Sequence, residues 1–218
     1  MCIRDRDTAV GKIRANGRAY LREKLDGVPQ ALVAQFTFPD IILPNGNLYP
    51  DGLVLPPLSV DMRLRFEPFV VELGQVVLGD GDTHVIGSGQ IIAAQDGWQA
   101  TIDVQADKLN AAQLMSFWPK TVKPGSRAWL VRNVDGGVLR DVAIGARFFQ
   151  GRGPIIEARY NFEDADITFM QSMPSILGAR GIGYMKKNQM FLSLDHGFIT
   201  AAQGGRVELS GSTFKVLD

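Results

Sequence analysis

The sequence has little of the chemistry on which disulfide-bonded and metal-binding proteins depend. Its 218 residues include one cysteine, Cys2, and two histidines, His84 and His196. A single cysteine excludes an intrachain disulfide and any metal site built from several thiolates. Neither histidine has a metal-ligating residue at a suitable spacing, so we expect both to be polar strand-end residues. We therefore predict that the protein holds no metal ion and no cofactor.

The sequence also lacks an excess of charge and a long hydrophobic run. Lysine plus arginine and aspartate plus glutamate each total 23, so the formal net charge is zero. Proteins that bind nucleic acid through its phosphates carry an excess of positive charge, so we expect no nucleic-acid partner. No apolar run approaches the ~18 residues that a membrane-spanning helix needs.

Both ends of the chain suggest a piece of a longer protein. The segment from Met1 to Arg6 has no apolar region of a signal peptide, and we expect it to be a non-native scar. The last residues, from Phe214 to Asp218, still follow a strand-like alternation. We therefore expect an internal fragment whose cut edges expose unpaired strands.

Three short motifs that resemble functional sites are better explained as structural. Asp164 and Asp166 share a face of a predicted strand, but the charged residues beside them favour a solvated surface. The segment Gly79-Asp80-Gly81-Asp82 occurs once, whereas calcium-binding repeats work by stacking, so it favours a hairpin turn. The glycines between residues 178 and 183 predict a strand bend where the backbone passes close to another group. We therefore predict no enzymatic activity.

The sequence is rich in alternation between apolar and polar residues. Residues 60–67, 98–104, 156–162 and 165–169 each alternate with a period of two, which indicates strands with one apolar and one solvated face. Such strands are typical of antiparallel sheets. Turn motifs such as Pro44-Asn45-Gly46 separate them at short spacing, so we predict a series of hairpins.

Two short interruptions have helical character. We expect Asp107 to cap a first helix that stops at Pro119. We expect Ser126 to begin a second helix that runs through Trp129 and Leu130 to Asn133, with the Gly136-Gly137 pair ending it. Residues 15–24 also tolerate a helix, although their pattern is weak. The overall prediction is a mainly β, antiparallel protein with one helical insertion.

The domain boundaries follow from this order of elements. We predict an N-terminal segment at 1–27, a first β-unit at 28–106, a helical insertion at 107–134 and a truncated second β-unit at 135–218. All four belong to one continuous fragment of a larger protein.

The central block resembles a known family. The motifs Ser116-Phe117-Trp118-Pro119, Arg127-Ala128-Trp129-Leu130 and Asn133-Val134-Asp135-Gly136-Gly137 resemble the signature of AsmA-like proteins of the YhdP branch. Downstream segments such as Tyr160-Asn161-Phe162 look similar as well, and the resemblance covers roughly residues 60–217.

That resemblance implies a segment of a large protein of the Gram-negative envelope, located in the periplasm and anchored in the inner membrane outside this chain. Such proteins are thought to form an elongated, U-shaped β-groove with an apolar lining, along which phospholipid acyl chains move toward the outer membrane. The implied partners are phospholipid acyl chains and, through the missing parts of the parent chain, the membrane anchor and envelope proteins. The family has no catalytic residues that could be transferred to this sequence.

Acyl chains are expected to lie on the apolar strand faces, because burial of each methylene group contributes about 0.8 kcal/mol. We expect Trp118, Pro119, Trp129 and Gly136 to be structural, with the two tryptophans fixing the helical hairpin on the sheet edge. The predicted groove-lining residues are Val60, Met62, Leu64, Phe66, Trp98, Ile102, Ile144, Phe148, Tyr160, Phe162, Ile167, Phe169, Met190, Leu192, Val207 and Leu209.

A structural β-scaffold, such as a surface or adhesin-like module, is the alternative hypothesis. In that case the apolar strand faces would be a sealed core, with facing sheets about 10 Å apart. An open and continuous apolar surface would instead favour the lipid conduit. A carbohydrate-active β-sandwich enzyme is less consistent with the sequence, which has no convincing carboxylate pair at a strand end.

Overall fold

A computed structural model describes residues 6–8, 11–47, 49–79, 84–170, 172–186 and 189–217. Most of the predicted N-terminal scar and most of the glycine–aspartate turn predicted at 79–82 lie outside these ranges.

The described residues form sixteen strands and two helices. The strands before the helices are β1 (Arg6–Thr8), β2 (Gly11–Ile13), β3 (Asn16–Leu25), β4 (Val28–Phe38), β5 (Ile41–Leu43), β6 (Leu53–Leu55), β7 (Leu58–Arg65), β8 (Val70–Leu78), β9 (Val85–Ala94) and β10 (Gly97–Asn110). The helices are α1 (Ala111–Phe117) and α2 (Pro124–Asn133). The strands after them are β11 (Val134–Phe149), β12 (Ile155–Ile167), β13 (Ile176–Lys186), β14 (Gln189–Thr200), β15 (Arg206–Glu208) and β16 (Thr213–Leu217).

Twelve strands form one large antiparallel sheet that does not close into a barrel. Their order is β15-β14-β13-β12-β11-β10-β9-β8-β7-β4-β3, and β16 pairs with β14 next to β15. The short strands β1, β2, β5 and β6 form a second sheet. Neighbouring strands in the large sheet are mostly consecutive in the chain, so the predicted mainly β fold of successive antiparallel hairpins is confirmed. The predicted U-shaped curvature stays a prediction.

The helix-tolerant segment at residues 15–24 is a strand in the structure. It forms most of β3, which pairs with β4 so that Leu21 lies opposite Leu32 and Ala19 opposite Ala34. Pairing along a neighbouring strand outweighs the weak local preference for a helix. Strand β3 is exposed along its whole length and forms one edge of the large sheet.

Both helices begin at residues other than the predicted ones. Strand β10 continues past Asp107, and Asn110 caps α1 by accepting from the Gln113 N–H, while the Gln113 side chain accepts from the Asn110 N–H. This reciprocal capping box is more specific than a lone aspartate. Helix α2 begins at Pro124, two residues before Ser126, because proline is favoured in the first helical turn.

The predicted end of α2 at Asn133 is confirmed, but the Gly136-Gly137 pair is not what stops the helix. The helix ends at Asn133, where the N–H of Val134 bonds to the carbonyl of Leu130. Both glycines lie inside strand β11 and have positive φ angles of 66° and 85°. Glycine adopts this backbone conformation at little cost, so the pair bends the start of the strand.

The chain divides into two compact units. Unit 1 comprises residues 1–105 and 144–156, and unit 2 comprises residues 106–143 and 157–218. The sequence predicts a boundary near residue 106 but not the inclusion of residues 144–156 in unit 1. Seventeen apolar residues are buried among those described, and of these only Ala31, Ala34, Ile41 and Val70 belong to unit 1.

Unit 2 has a sealed apolar core. Its buried cluster includes Phe162, Ile176 and Leu194, with exposed fractions of 4%, 2% and 1%. Trp129 of α2 packs edge-on against Phe169 with ring centroids 6.1 Å apart, and Phe169 packs against Phe214 at 4.8 Å. One end of unit 2 is therefore held by packing between the helix, the end of β12 and the edge strand β16.

Candidate functional site

The sheet of unit 1 has one predominantly apolar face. Leu32 of β4 lies opposite Leu64 of β7, which lies opposite Val71 of β8, and Val71 lies opposite Ile91 of β9. Residues directly opposite one another point to the same side of a sheet. We define the apolar face of unit 1 by Leu32, Ala34, Phe36, Val60, Met62, Leu64, Val71, Leu73, Val76, Ile91, Trp98, Ala100, Ile102, Val104, Ile144, Ala146 and Phe148.

The later strands of unit 1 extend this face. The Cβ that Gly89 lacks would lie 3.4 Å from the Cα of Ile102, which places β10 beside β9 with Ile102 on the apolar side. The Gln150 N–H bonds to the carbonyl of Trp98, which sets the register of β10 against β11. By the alternation of side chains along a strand, Phe148 shares the face of Trp98.

Large side chains on this face remain accessible to solvent. Trp98 is 53% exposed and Phe148 is 37% exposed. Val60, Met62 and the other predicted lining residues of these strands are half-buried. Phe66 lies in the turn after β7 rather than in the strand and is 39% exposed. Such exposure is far above that of a packed core residue.

No large element of unit 1 is available to seal this face. Both described helices belong to unit 2. The second sheet of unit 1 contains only the three-residue strands β1, β2, β5 and β6. An ordinary sandwich would need a facing sheet of comparable size. Among the described residues, unit 1 therefore has an amphipathic sheet without the covering layer that its apolar face would require in a sealed core.

A glycine in β9 leaves a depression in the apolar face. The absent Cβ of Gly87 would lie 3.7 Å from the Val76 Cβ and 3.9 Å from the Val104 Cγ2, at ordinary van der Waals distance. A small side chain would therefore fit at Gly87. By contrast, a Cβ at Gly89 would lie 2.5 Å from the Thr101 carbonyl oxygen, so glycine is needed there.

The opposite face of unit 1 carries charged side chains beside apolar ones such as Val70 and Ile92. Arg63 pairs with Glu23, and the Arg65 guanidinium lies 3.0 Å from a Glu72 carboxylate oxygen. These ion pairs are solvent-exposed and contribute little to stability. Their role is to keep this face hydrated, which distinguishes it from the apolar face.

The predicted lining residues of unit 2 have different surroundings. Phe162, Ile167, Met190 and Leu192 belong to the buried core, with exposed fractions between 3% and 6%. Tyr160 and Leu209 are half-buried and pack against that core. Phe169 is also half-buried and packs against Phe214, which itself contacts the core. Val207 is 45% exposed in β15. The structure therefore divides the predicted residues between an accessible face in unit 1 and a packed interior in unit 2.

Unit 2 contains an apolar cavity between its helices and its sheet, which we call the helix–sheet cavity. Its volume is about 110 Å³. Leu114 and Met115 of α1 and Trp129 and Leu130 of α2 line one side. The other side is formed by strand residues, among them the buried core residues Phe162, Ala165, Ile167, Met190 and Leu192.

Hydrogen bonds hold the two helices together above this cavity. The Arg127 guanidinium donates to the carbonyls of Met115 and Trp118, each at 3.2 Å. The Trp118 indole N–H donates to the Val122 carbonyl at 2.6 Å, and the Val122 N–H donates to the carbonyl of Pro119. Trp118 and Pro119 therefore order the connection between the helices, whereas Trp129 packs toward the sheet. The role of Arg127 could not be predicted from the sequence, because only the fold brings the carbonyls of Met115 and Trp118 close to its guanidinium.

Tyr160 supplies the one hydroxyl in the lining of the helix–sheet cavity. Its hydroxyl contacts the Met190 sulfur at 3.4 Å. Burial raises the pKa of Tyr160 to about 12, because the phenolate would lose its hydration. The hydroxyl is therefore neutral throughout the physiological pH range.

Charged residues of unit 2 outside the cavity form solvent-exposed ion pairs. The Arg140 Nε lies 2.6 Å from a Glu163 carboxylate oxygen, and this hydrogen bond lowers the pKa of Glu163. Both Asp164 and Asp166 are exposed, and Asp166 accepts from the Gly178 N–H at 2.8 Å.

Over the described part of the chain, no group of three metal-ligating side chains comes together. No described helix has the length and apolar character needed to cross a bilayer.

Comparisons with known proteins add no identification. No family model, no curated protein and no solved structure matches this chain.

Proposed function

We propose that the chain is a segment of a periplasmic conduit in which the apolar face of unit 1 holds phospholipid acyl chains. One observation supports this most strongly: an apolar face extends over several strands of unit 1, yet large side chains such as Trp98 and Phe148 remain exposed. Contiguous exposed apolar surface on this scale is a feature of sites that bind lipids or partners. Of these two kinds of ligand, lipids and protein partners, the resemblance of the central block to AsmA-like proteins favours lipids.

The chemistry of the face suits acyl chains and does not suit head groups. None of the seventeen residues that define it is charged, so they offer no ion-pairing group for a phosphate or an amine. Strand β7 has eight residues and spans about 26 Å at ~3.3 Å per residue, which provides a long contact for a chain. Each methylene group that leaves water contributes about 0.8 kcal/mol, whatever lipid it belongs to. Such a face conducts amphiphiles passively and discriminates little among them.

Unit 2 is more consistent with a structural role. Its buried residues form a sealed core, which the scaffold hypothesis predicts. A scaffold function for the whole chain is the second candidate, and it would require the apolar face of unit 1 to be covered as well.

Photocrosslinking at two adjacent positions of β10 tests the proposal. Benzoylphenylalanine replaces Ile102, on the apolar face, or Thr101, its half-buried neighbour on the opposite face. Each chain is incubated with vesicles of phosphatidylethanolamine and phosphatidylglycerol, irradiated and examined by mass spectrometry. We expect lipid adducts from position 102 and few from position 101. Equal yields at the two positions, or protein adducts alone at position 102, would refute the proposal.

A further inference from the structure

The helix–sheet cavity of unit 2 is partly open to solvent. Ala111, Val131 and Gly136 line it and are exposed, Val131 to 57%. The residues that line its inner wall, such as Phe162 and Leu192, are almost completely buried. The cavity therefore has an entrance beside α1 and α2 and a closed apolar end on the sheet.

Water is a poor occupant of this space. The volume of about 110 Å³ equals that of about four water molecules in the liquid, but a buried water needs two to four polar partners. The lining offers few polar side-chain groups: the Tyr160 hydroxyl, which already contacts the Met190 sulfur, and the Trp129 indole N–H. An apolar group would fill the cavity without losing hydrogen bonds and would regain the dispersion contacts that an empty cavity lacks.

We propose that the helix–sheet cavity binds the methyl end of a single alkyl chain. The assignment rests on the proposed function, which makes acyl chains the apolar ligand that the protein meets. The narrow volume admits one chain end and not a whole lipid. The exposed entrance lets the rest of the chain and its polar head remain outside. The cavity would thus fix one end of a lipid, whereas the apolar face of unit 1 provides no such stop.

Tryptophan quenching by bromine distinguishes this site from the apolar face. Bromine quenches an indole only near contact, and Trp129 lines the cavity whereas Trp98 lies on the apolar face of unit 1. Two chains are prepared, Trp98→Phe/Trp118→Phe and Trp118→Phe/Trp129→Phe, which retain Trp129 and Trp98 respectively. Each is titrated with hexadecanoate brominated either at its terminal carbon or beside its carboxylate.

We expect terminal bromine to quench Trp129 at least several-fold more than bromine beside the carboxylate. Quenching of Trp98 without quenching of Trp129 would overturn the cavity assignment and leave the proposed function standing. Absence of quenching at both tryptophans would contradict both proposals. Equal quenching of Trp129 by the two probes would also refute insertion by the methyl end.

A pair of helix variants supplies a second test that preserves Trp129. Ala111 lines the entrance, whereas the adjacent Ala112 is exposed and does not line the cavity. Leucine is a good helix former, so Ala111→Leu and Ala112→Leu should both fold. In a Trp98→Phe chain we expect Ala111→Leu to weaken quenching by terminal bromine several-fold and Ala112→Leu to leave it unchanged. Equal quenching in the two variants would refute entry beside Ala111.

Discussion

The Tyr160 ring of β12 lies directly over Gly183 of the neighbouring strand β13. The two residues are paired across the strands, and a Cβ added to Gly183 would overlap the ring. Glycine therefore lets the aromatic ring lie flat on the sheet, where it also forms part of the wall of the helix–sheet cavity. The close approach that the sequence predicts for the glycines between residues 178 and 183 is confirmed at this position.

Replacing Gly183 by alanine should destabilise unit 2. The new methyl group must displace the Tyr160 ring, and overpacking of this kind costs roughly 1–3 kcal/mol. Gly153→Ala is a matched control, because Gly153 has nothing within 4 Å of its absent Cβ. Urea denaturation followed by near-ultraviolet circular dichroism measures both variants. Equal free energies of unfolding for the two would contradict the role of Gly183.

Alternation in the sequence was sufficient to predict which residues of β7 and β10 share a face. Strand β7 pairs with β4 without a register shift, and the shift between β7 and β8 comes from an extra residue in β8. In β12 the alternation also showed a change of phase, because the alternating run at residues 156–162 gives way to a second run at residues 165–169. In β12 the register shifts between Phe162 and Ala165, with Asp164 at a positive φ of 53°. The bulge puts Phe162 and Ala165 into the same core, although three positions separate them. An aspartate with this backbone conformation is uncommon, so the sequence shows the change of phase but not the bulge that causes it.

The difference between an open face and a sealed core was also beyond the sequence. Residues around Met62 and around Leu192 alternate in the same way. Alternation shows which side of a strand is apolar, but it does not show whether that side is covered. Whether another layer covers that side depends on where the helices pack, and both lie in unit 2. The start of α1 was predictable in principle from Asn110 and Gln113, which have the spacing of a capping box.

Truncating one leucine in each unit should measure this difference. Leu194 is 1% exposed in the unit 2 core, so Leu194→Ala should cost about 2–5 kcal/mol of unfolding free energy. Leu64 is half-buried on the apolar face of unit 1, and Leu64→Ala should cost less than about 1 kcal/mol because little packing is lost. Urea denaturation provides both values. A cost at Leu64 equal to that at Leu194 would favour the sealed scaffold.

The raised pKa of Tyr160 should make unit 2 less stable in strong alkali. The phenol ionises near pH 10 when unfolded but only at about 12 when folded, so the unfolded chain binds fewer protons above pH 10. Below pH 10 the phenol is protonated in both the folded and the unfolded chain, so it does not change the free energy of unfolding with pH. It should fall by about 1.4 kcal/mol per pH unit between pH 10 and 12. Tyr160→Phe should flatten this part of the profile, and an identical slope in both chains would contradict the assignment.

Removing the Arg127 guanidinium should loosen the connection between the two helices without unfolding the sheet. Arg127→Ala deletes the donors to the Met115 and Trp118 carbonyls, and each hydrogen bond from a charged group contributes roughly 1.5–3 kcal/mol. Arg132→Ala is the matched control, because the exposed Arg132 donates to Ala128 within its own helix. Hydrogen–deuterium exchange should accelerate at least tenfold in residues 111–123 of Arg127→Ala and remain near wild type in Arg132→Ala. Similar exchange in both variants would mean that helix packing on the sheet, and not Arg127, holds the covering of the helix–sheet cavity in place.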